Sequence, residues 1–374
     1  MIKKIMLFCG RCLFGLFCFF PIKNHIILYS YSGKKIEDSI LLLYSECLKR
    51  NICVYFVYTK GANVDKNINT LKQYSLRYFY YAASAKIVIT NVGIPPITVK
   101  RGGQTFINTW HGAGGLKGFG NDSVNYSFNI FDYFVSESKK DEEWFSRNDA
   151  WNFQNTYLET GMPRNDILLN STNAYINSVK LEYGLSQDAF LLLYAPTWRD
   201  FSSDCFITEF ENIRKVLCER FGKDVVVLYK RHHLQQVESK ELHGVVDCSL
   251  GYDIQKLLLI SDLLITDYSS CAWDFSLMKK PVALYIPDYD SYILNRGNSF
   301  IDYGILPYMK AKNIYELIKQ LSVLDISEYK KCIDEFHNYM GVFNKEGNAL
   351  NKIMNLCESI LDGNNEQKIL SGSE

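Results

Sequence analysis

Residues 253–286 read DIQKLLLISDLLITDYSSCAWDFSLMKKPVALYI. Two apolar runs of strand length, Leu263–Thr266 and Val282–Ile286, alternate with helical patterns at Asp253–Ser261 and Cys271–Met278. Strands separated by helical stretches imply βαβ units, because a parallel neighbour is reached only through a crossover. Upstream, the alternation begins at a strand Phe190–Tyr194 and passes through a helix around Phe206–Phe221 to a strand Asp224–Tyr229. This predicts a doubly wound α/β domain.

An earlier series has the same rhythm. It comprises the strand His25–Tyr31, a helix Glu37–Arg50, the strand Cys53–Tyr58, a helix Asn67–Ala82 and the strand Lys86–Thr90, then strands at Thr105–Thr109 and Tyr133–Ser136. Helical patterns fill Ile314–Leu361, and the polar tail Asp362–Glu374 is expected to fray. The chain therefore divides into an apolar and basic segment over 1–22, Rossmann-like domains over 23–175 and 176–345, and a helix with a polar tail over 346–374. Two such domains are expected to take ligand in a cleft between them, at the carboxyl ends of the strands.

Composition narrows the class. The 374 residues are 47% hydrophobic and 22% charged, which excludes a wholly disordered chain and a multi-span membrane protein. Lys+Arg and Asp+Glu both number 41, so no electrostatic case exists for a nucleic-acid partner. Eleven scattered cysteines fit reduced cytosolic thiols better than a disulfide framework. Cys9-Gly-Arg-Cys12 lies inside an apolar run with no second pair, and no metal is assigned to it.

From Ile5 to Phe20 nearly every residue is apolar or small, interrupted by Arg11. As a helix this run reaches roughly 24 Å against a hydrocarbon core of about 30 Å, too short to span comfortably. No acidic residue precedes Glu37, while Lys3, Lys4, Arg11, Lys23, Lys34 and Lys35 are basic. That pattern suits a membrane-associated helix lying on anionic lipid. A cleaved leader and a buried first helix are the rival readings; Phe-Cys-Phe-Phe-Pro at residues 17–21 is a poor cleavage site.

Three segments carry chemistry. No GxGxxG follows a strand and no P-loop is present, so nicotinamide enzymes and P-loop NTPases are disfavoured. Asn108-Thr-Trp-His111-Gly-Ala-Gly-Gly-Leu-Lys117-Gly-Phe-Gly120 follows a strand. Its glycines let backbone amides approach an anion, Lys117 adds charge and His111 titrates near neutrality. A second strand ends in Lys230-Arg231-His232-His233, whose alternation sends Lys230 and His232 to one side. In the third, Ser269 and Ser270 begin a helix, where hydroxyls and free N–H groups hold a phosphate or simply cap the helix. Asp288-Tyr-Asp290 imitates a metal-binding DxD but has no further ligand cluster, and no metal is assigned there either.

In order along the chain come Trp110-His111-Gly with its downstream Lys117, Gly161-Met-Pro-Arg164-Asn-Asp166, Tyr194-Ala-Pro-Thr-Trp-Arg199 and Lys230-x-His232. Ile265-Thr-Asp-Tyr-Ser-Ser270, Asp274-Phe, Lys280-Pro281 and Tyr285-x-Pro-Asp288 follow. Together they resemble the CDP-glycerol glycerophosphotransferase family of teichoic-acid and capsule synthesis over about residues 24–305. The resemblance implies a GT-B-like fold with an acceptor-side first domain and a nucleotide-donor second domain. It implies a peripheral protein on the cytoplasmic face of the bacterial cell membrane, and transfer of glycerol phosphate, or a related polyol phosphate from another CDP-polyol, to a lipid-linked or polymer acceptor with release of CMP. No cofactor is implied. The resemblance matches the family's catalytic histidines to His111 and His232. Lys117, Arg199, Lys230, Thr266, Asp267, Ser269 and Ser270 are then expected to serve donor and phosphate binding. A GT-B glycosyltransferase using a sugar nucleotide is the alternative, since it needs the same phosphate cradle but attacks at carbon.

Overall fold

The computed structural model describes residues 2–62, 64–113, 115–116, 128–147, 152–197, 207, 210–231, 244–297 and 299–363. The chain divides into two compact units. The first is built from Met1–His111, Asn125–Arg164 and Asn348–Glu374, and the second from Gly112–Val124 and Asn165–Gly347. The expected fraying at the tail concerns residues 364–374, outside the described residues.

The first unit is a parallel sheet of β1 (Lys23–Tyr29), β2 (Val54–Tyr58), β3 (Thr70–Lys72), β4 (Ala85–Thr90), β5 (Thr105–Asn108), β6 (Tyr133–Val135) and β7 (Thr156–Leu158). The strand order is β3-β2-β1-β4-β5-β6-β7. The central strand β1 registers Ile27 against Tyr55 on one side and Val88 on the other. Ile26, Ile27 and Leu28 are wholly buried, as a strand covered on both faces must be. Its helices are α1 (Ile2–Phe17), α2 (Asp38–Lys49), α3 (Leu76–Ser84) and α4 (Lys139–Arg147).

The second unit repeats the plan with β8 (Phe190–Tyr194), β9 (Val225–Tyr229), β10 (Val245–Asp247), β11 (Leu263–Thr266), β12 (Val282–Tyr285) and β13 (Met309–Ala311). The order β10-β9-β8-β11-β12-β13 is again wholly parallel. Its helices are α5 (Asp166–Asn170), α6 (Asn173–Glu182), α7 (Glu211–Phe221), α8 (Ile254–Ile260), α9 (Cys271–Ser276), α10 (Tyr289–Arg296), α11 (Ile314–Ser322) and α12 (Ile326–Met340). Period-two alternation sends Phe190, Leu192 and Tyr194 of β8 to one face, where Ile213 and Leu217 of α7 and Leu317 and Leu321 of α11 bury them.

The final helix α13 (Ala349–Asp362) returns to the first unit. Arg50, at the end of α2, donates to Glu358 at 2.8 Å, Asn351 at 2.9 Å and Asn355 at 3.0 Å. Asn24 donates to the Leu361 carbonyl at 3.0 Å, and Cys47 and Cys357 are wholly buried.

One expectation is corrected. The helix read over Asn67–Ala82 is instead the short edge strand β3 followed by α3, whose start is capped by the Ser75 hydroxyl accepting from the Tyr78 N–H. Most of the run Ile5–Phe20 lies in α1, which lays Phe14 and Phe17 on Phe79 of α3 at ring separations of 6.1 and 6.0 Å. Phe14 is wholly buried, while Ile5, Phe8 and Leu16 are exposed, so α1 is buried along one side rather than all round. No helix among the described residues is long and apolar enough to cross a membrane.

Candidate functional site

In the first unit the carboxyl ends of β1, β4 and β5 bring Tyr31, Asn91 and His111 together. The order reverses between β1 and β4, the switch point at which open α/β sheets present ligand sites. The turn into His111 is fixed locally. The Asn108 side chain accepts from the Trp110 N–H at 2.8 Å and donates to the Val92 carbonyl at 3.0 Å. Trp110 is nine-tenths buried beside Phe128, Phe134 and Phe145.

The His111 ring lies 4.1 Å from the Trp110 ring and 6.1 Å from that of Tyr31, and its Nδ1 is 2.7 Å from the Asn91 carbonyl oxygen. A carbonyl has no proton to give, so Nδ1 carries the hydrogen and the neutral ring keeps its basic lone pair at Nε2. Tyr31 is anchored by its N–H donating to Asn91 Oδ1 at 3.1 Å and by its hydroxyl donating to Asp38 at 3.0 Å. Burial, and then the negative Asp38, push this phenol well above its ordinary range. Lys35 stands 4.9 Å from the centre of the Tyr31 ring and pairs with Glu37 at 2.5 Å.

In the second unit β11 runs into Asp267-Tyr268-Ser269-Ser270, and the signature divides. Thr266 is wholly buried and donates to the Ala195 carbonyl at 2.7 Å. Asp267 accepts from the Thr197 N–H at 2.9 Å, its hydroxyl at 2.6 Å and the Tyr268 N–H at 2.6 Å. These two side chains tie the loop after β8 to the loop after β11. Tyr268 stacks on Tyr292 at 3.5 Å and donates to Asp288 at 3.0 Å, which turns that member of Asp288-Tyr-Asp290 toward packing.

Ser269 and Ser270 are partly exposed where α9 begins. The Ser269 hydroxyl accepts from the Cys271 N–H at 3.3 Å, and Ser270 takes the capping position without a side-chain cap bond. A methyl group on Gly112 would stand 2.9 Å from the Ser270 hydroxyl, so a larger residue there would have to displace that hydroxyl. Lys230 follows β9, two strands from β11 and roughly 10 Å away along the sheet. Its ammonium donates to the carbonyls of Tyr252 at 2.8 Å and Ser249 at 3.3 Å. Lys117, Arg199 and His232 lie outside the described residues. Among the described residues no group of three or more His, Cys, Asp or Glu side chains is placed to hold a metal ion.

Asn91, Asp38 and Tyr31 were not legible as site residues. Asn91 follows a buried strand in a plain Ile-Thr-Asn run, and the left-handed backbone of Tyr31 and Asp38, with φ of 44° and 64°, leaves no mark in residue type.

Two doubly wound parallel-sheet units, each with chemistry-bearing side chains at its carboxyl edge, define a GT-B-like α/β fold. Residues 13–359 match the model of the CDP-Glycerol:Poly(glycerophosphate) glycerophosphotransferase family, and the chain belongs to that family. It is 30% identical over 346 residues to the teichoic acid poly(glycerol phosphate) polymerase of Staphylococcus epidermidis. That match takes in 84% of this chain and 47% of the relative, so the chain spans about half that polymerase's length. It is 32% identical over 353 residues to the teichoic acid glycerol-phosphate transferase of Staphylococcus aureus, covering 87% of this chain and 90% of the relative. Among solved structures, the wall teichoic acid polymerase TagF superposes with a TM-score of 0.77 at 28% identity, covering 97% of this chain and 96% of that one.

Proposed function

We propose that this chain transfers glycerol phosphate from CDP-glycerol to an acceptor hydroxyl on a lipid-linked or growing cell-surface polymer, releasing CMP. The observation that carries the reading is His111, held at the carboxyl edge of the first sheet with its basic lone pair at Nε2. Nε2 takes the proton of the acceptor hydroxyl. The acceptor oxygen bonds to the β-phosphorus, and the bond from that phosphorus to the bridging oxygen breaks, so CMP leaves with the electron pair.

The hydroxyls of Ser269 and Ser270 hold the pyrophosphate, over a floor stitched by Thr266 and Asp267. His232, with Lys117, Lys230 and Arg199, steadies charge on the phosphoryl oxygens and the departing CMP, the larger share of catalysis in phosphoryl transfer. The TagF polymerase has been examined after a soak with CDPG, which supports this choice of donor.

The chain works as a peripheral protein on the cytoplasmic face of the cell membrane. Supporting this, Ile5, Phe8, Cys12 and Leu16 line one side of α1 at spacings of three and four residues, and Phe19 continues the line. Phe8 is 69% and Phe19 88% exposed, a lipid-facing stripe opposite the side that grips α3.

The deciding experiment offers CDP-glycerol, CDP-ribitol and UDP-glucose separately, with a lipid-linked acceptor extract, to the purified chain in detergent. CMP from a CDP-polyol alone is the expected outcome, and UDP from UDP-glucose would replace this reaction with glycosyl transfer. With residues 1–20 deleted, the chain is expected to stay in the supernatant after sedimentation with anionic vesicles; continued sedimentation would place the attachment elsewhere.

A further inference from the structure

Gly161-Met162-Pro163-Arg164 recurs in the family pattern but has no part in the transfer described above. In the first unit this turn is clamped. The Gly161 N–H donates to the Ser136 carbonyl at 2.9 Å, and the Met162 N–H donates to the wholly buried Glu137 carboxylate at 2.9 Å. The Arg164 N–H donates to the Ser39 hydroxyl at 3.4 Å.

What the clamp aims is the guanidinium. A single terminal nitrogen of Arg164, with two hydrogens to give, donates to Asp38 Oδ2 at 3.0 Å and to the backbone carbonyl of His111 at 2.9 Å. Both side chains of the ion pair are only 8% exposed. The Tyr31 hydroxyl donates to the same Asp38 oxygen, and its raised pKa keeps that proton in place.

His111 is thus gripped at two points, its ring by the Asn91 carbonyl and its backbone by Arg164. The grip falls next to a strained residue, because Trp110 has a φ of 53°, a region that bulky side chains rarely adopt. A buried ion pair is weak evidence of stabilisation, since apolar partners of similar volume often serve stability as well. Its fixed geometry is what an apolar pair would not supply.

We propose that the Asp38–Arg164 pair sets the position of the base: Arg164 is a positioning residue acting through the His111 carbonyl, and Asp38 aims Arg164. The proposal rests on the reading of His111 as the base. Displacing a reacting group by about 1 Å costs on the order of a hundredfold in rate, so a device that fixes the backbone beneath the imidazole acts directly on turnover.

The test uses the full chain in detergent with CDP-glycerol and acceptor extract. Arg164→Lys and Asp38→Asn are each made alone and on a His111→Ala background, with folding checked by circular dichroism. In the otherwise native chain each is expected to lower kcat by about 10- to 100-fold, with KM for CDP-glycerol unchanged within about twofold. On the His111→Ala background neither lowers the residual turnover further, because the effect runs through the missing imidazole. Equal losses in both backgrounds, or an unchanged kcat in the native background, would overturn the proposal. Should either variant fail to fold, Tyr31→Phe removes one hydrogen bond to Asp38 without unpairing a charge, and a loss of about threefold confined to the native background is expected. Near-native turnover of His111→Ala itself would instead overturn the reading of the base, a result separable from the others.

Discussion

The carboxyl edges of the two sheets follow the same order apart from the extra strand β7 of the first, but hold their side chains by opposite means. In the first unit a single imidazole is fixed by groups from five places in the chain: Tyr31, Asp38, Asn91, Trp110 and Arg164. In the second, one continuous run, Thr266 to Ser270, divides its labour. Its first three side chains stitch and pack the loops, and its last two open a helix. On the proposed reading, a base must be placed to a fraction of an ångström, whereas a phosphate cradle needs a rigid loop with donors on it. The segment that stands out most in the sequence is therefore partly scaffold, and the site that depends most on geometry is scattered.

The largest effect expected from this contrast is at His111. Alanine there should lower transfer by about 10²–10⁴ while CDP-glycerol binding, measured by calorimetry, holds. A loss of donor binding instead would erase the distinction between the two edges. Next comes Asp267→Ala, which strips the acceptor from three donors, the Tyr268 N–H among them buried. Urea unfolding should then register a loss of about 3 kcal/mol, whereas a stable variant with a raised KM would move Asp267 beside Ser269 in function.

His337 offers a sharper comparison of the two units in acid. Burial, then the charge of Lys279, lowers its pKa to about 4, with Nε2 3.2 Å from the Ser276 hydroxyl. Between pH 6.5 and 4 the unfolded chain binds the extra proton, so stability falls as pH drops through that window and levels off below it. The loss should reach about 2 kcal/mol by pH 5 and shrink in His337→Gln, as read from urea midpoints across that range. His25, in the first unit, is shifted in the same direction by burial, so an unchanged midpoint in His337→Gln would assign the acid sensitivity to the other unit. The smallest effect belongs to Ser269→Ala with Ser270→Ala. A rise of about tenfold in KM for CDP-glycerol, about 1.4 kcal/mol, should come with a urea-midpoint loss well below that of Asp267→Ala, because only the Ser269 bond to the Cys271 N–H is lost. An unaltered KM would take the serines out of the phosphate role.

The central strands were legible because each is an apolar run of four or more residues between helical patterns, and Phe190–Tyr194 and Leu263–Thr266 stand where the alternation puts them. The edge strands β3, β7, β10 and β13 were not, since three residues seldom display a period, although the equally short β6 was read at Tyr133–Ser136. His111 was legible by residue type and by its place after a strand. Its braces were not, because Arg164 and Asp38 meet across 126 positions of sequence and the positive φ of Trp110 is a choice made by packing. Lys230 is expected from sequence to serve donor and phosphate binding, yet its ammonium donates to two loop carbonyls that no spacing rule foretells.

The return of α13 sets a timetable. Arg50 finds its partners 301 to 308 residues later in the chain, so α2 leaves the ribosome long before the helix that covers it exists. At roughly 5–20 residues per second that interval is about 15 to 60 s. For that time the first-made half of the protein waits with Cys47 and its neighbours uncovered, while the second half is made and folds in the middle of it. Helix α13 completes a unit that was begun before the second unit was made.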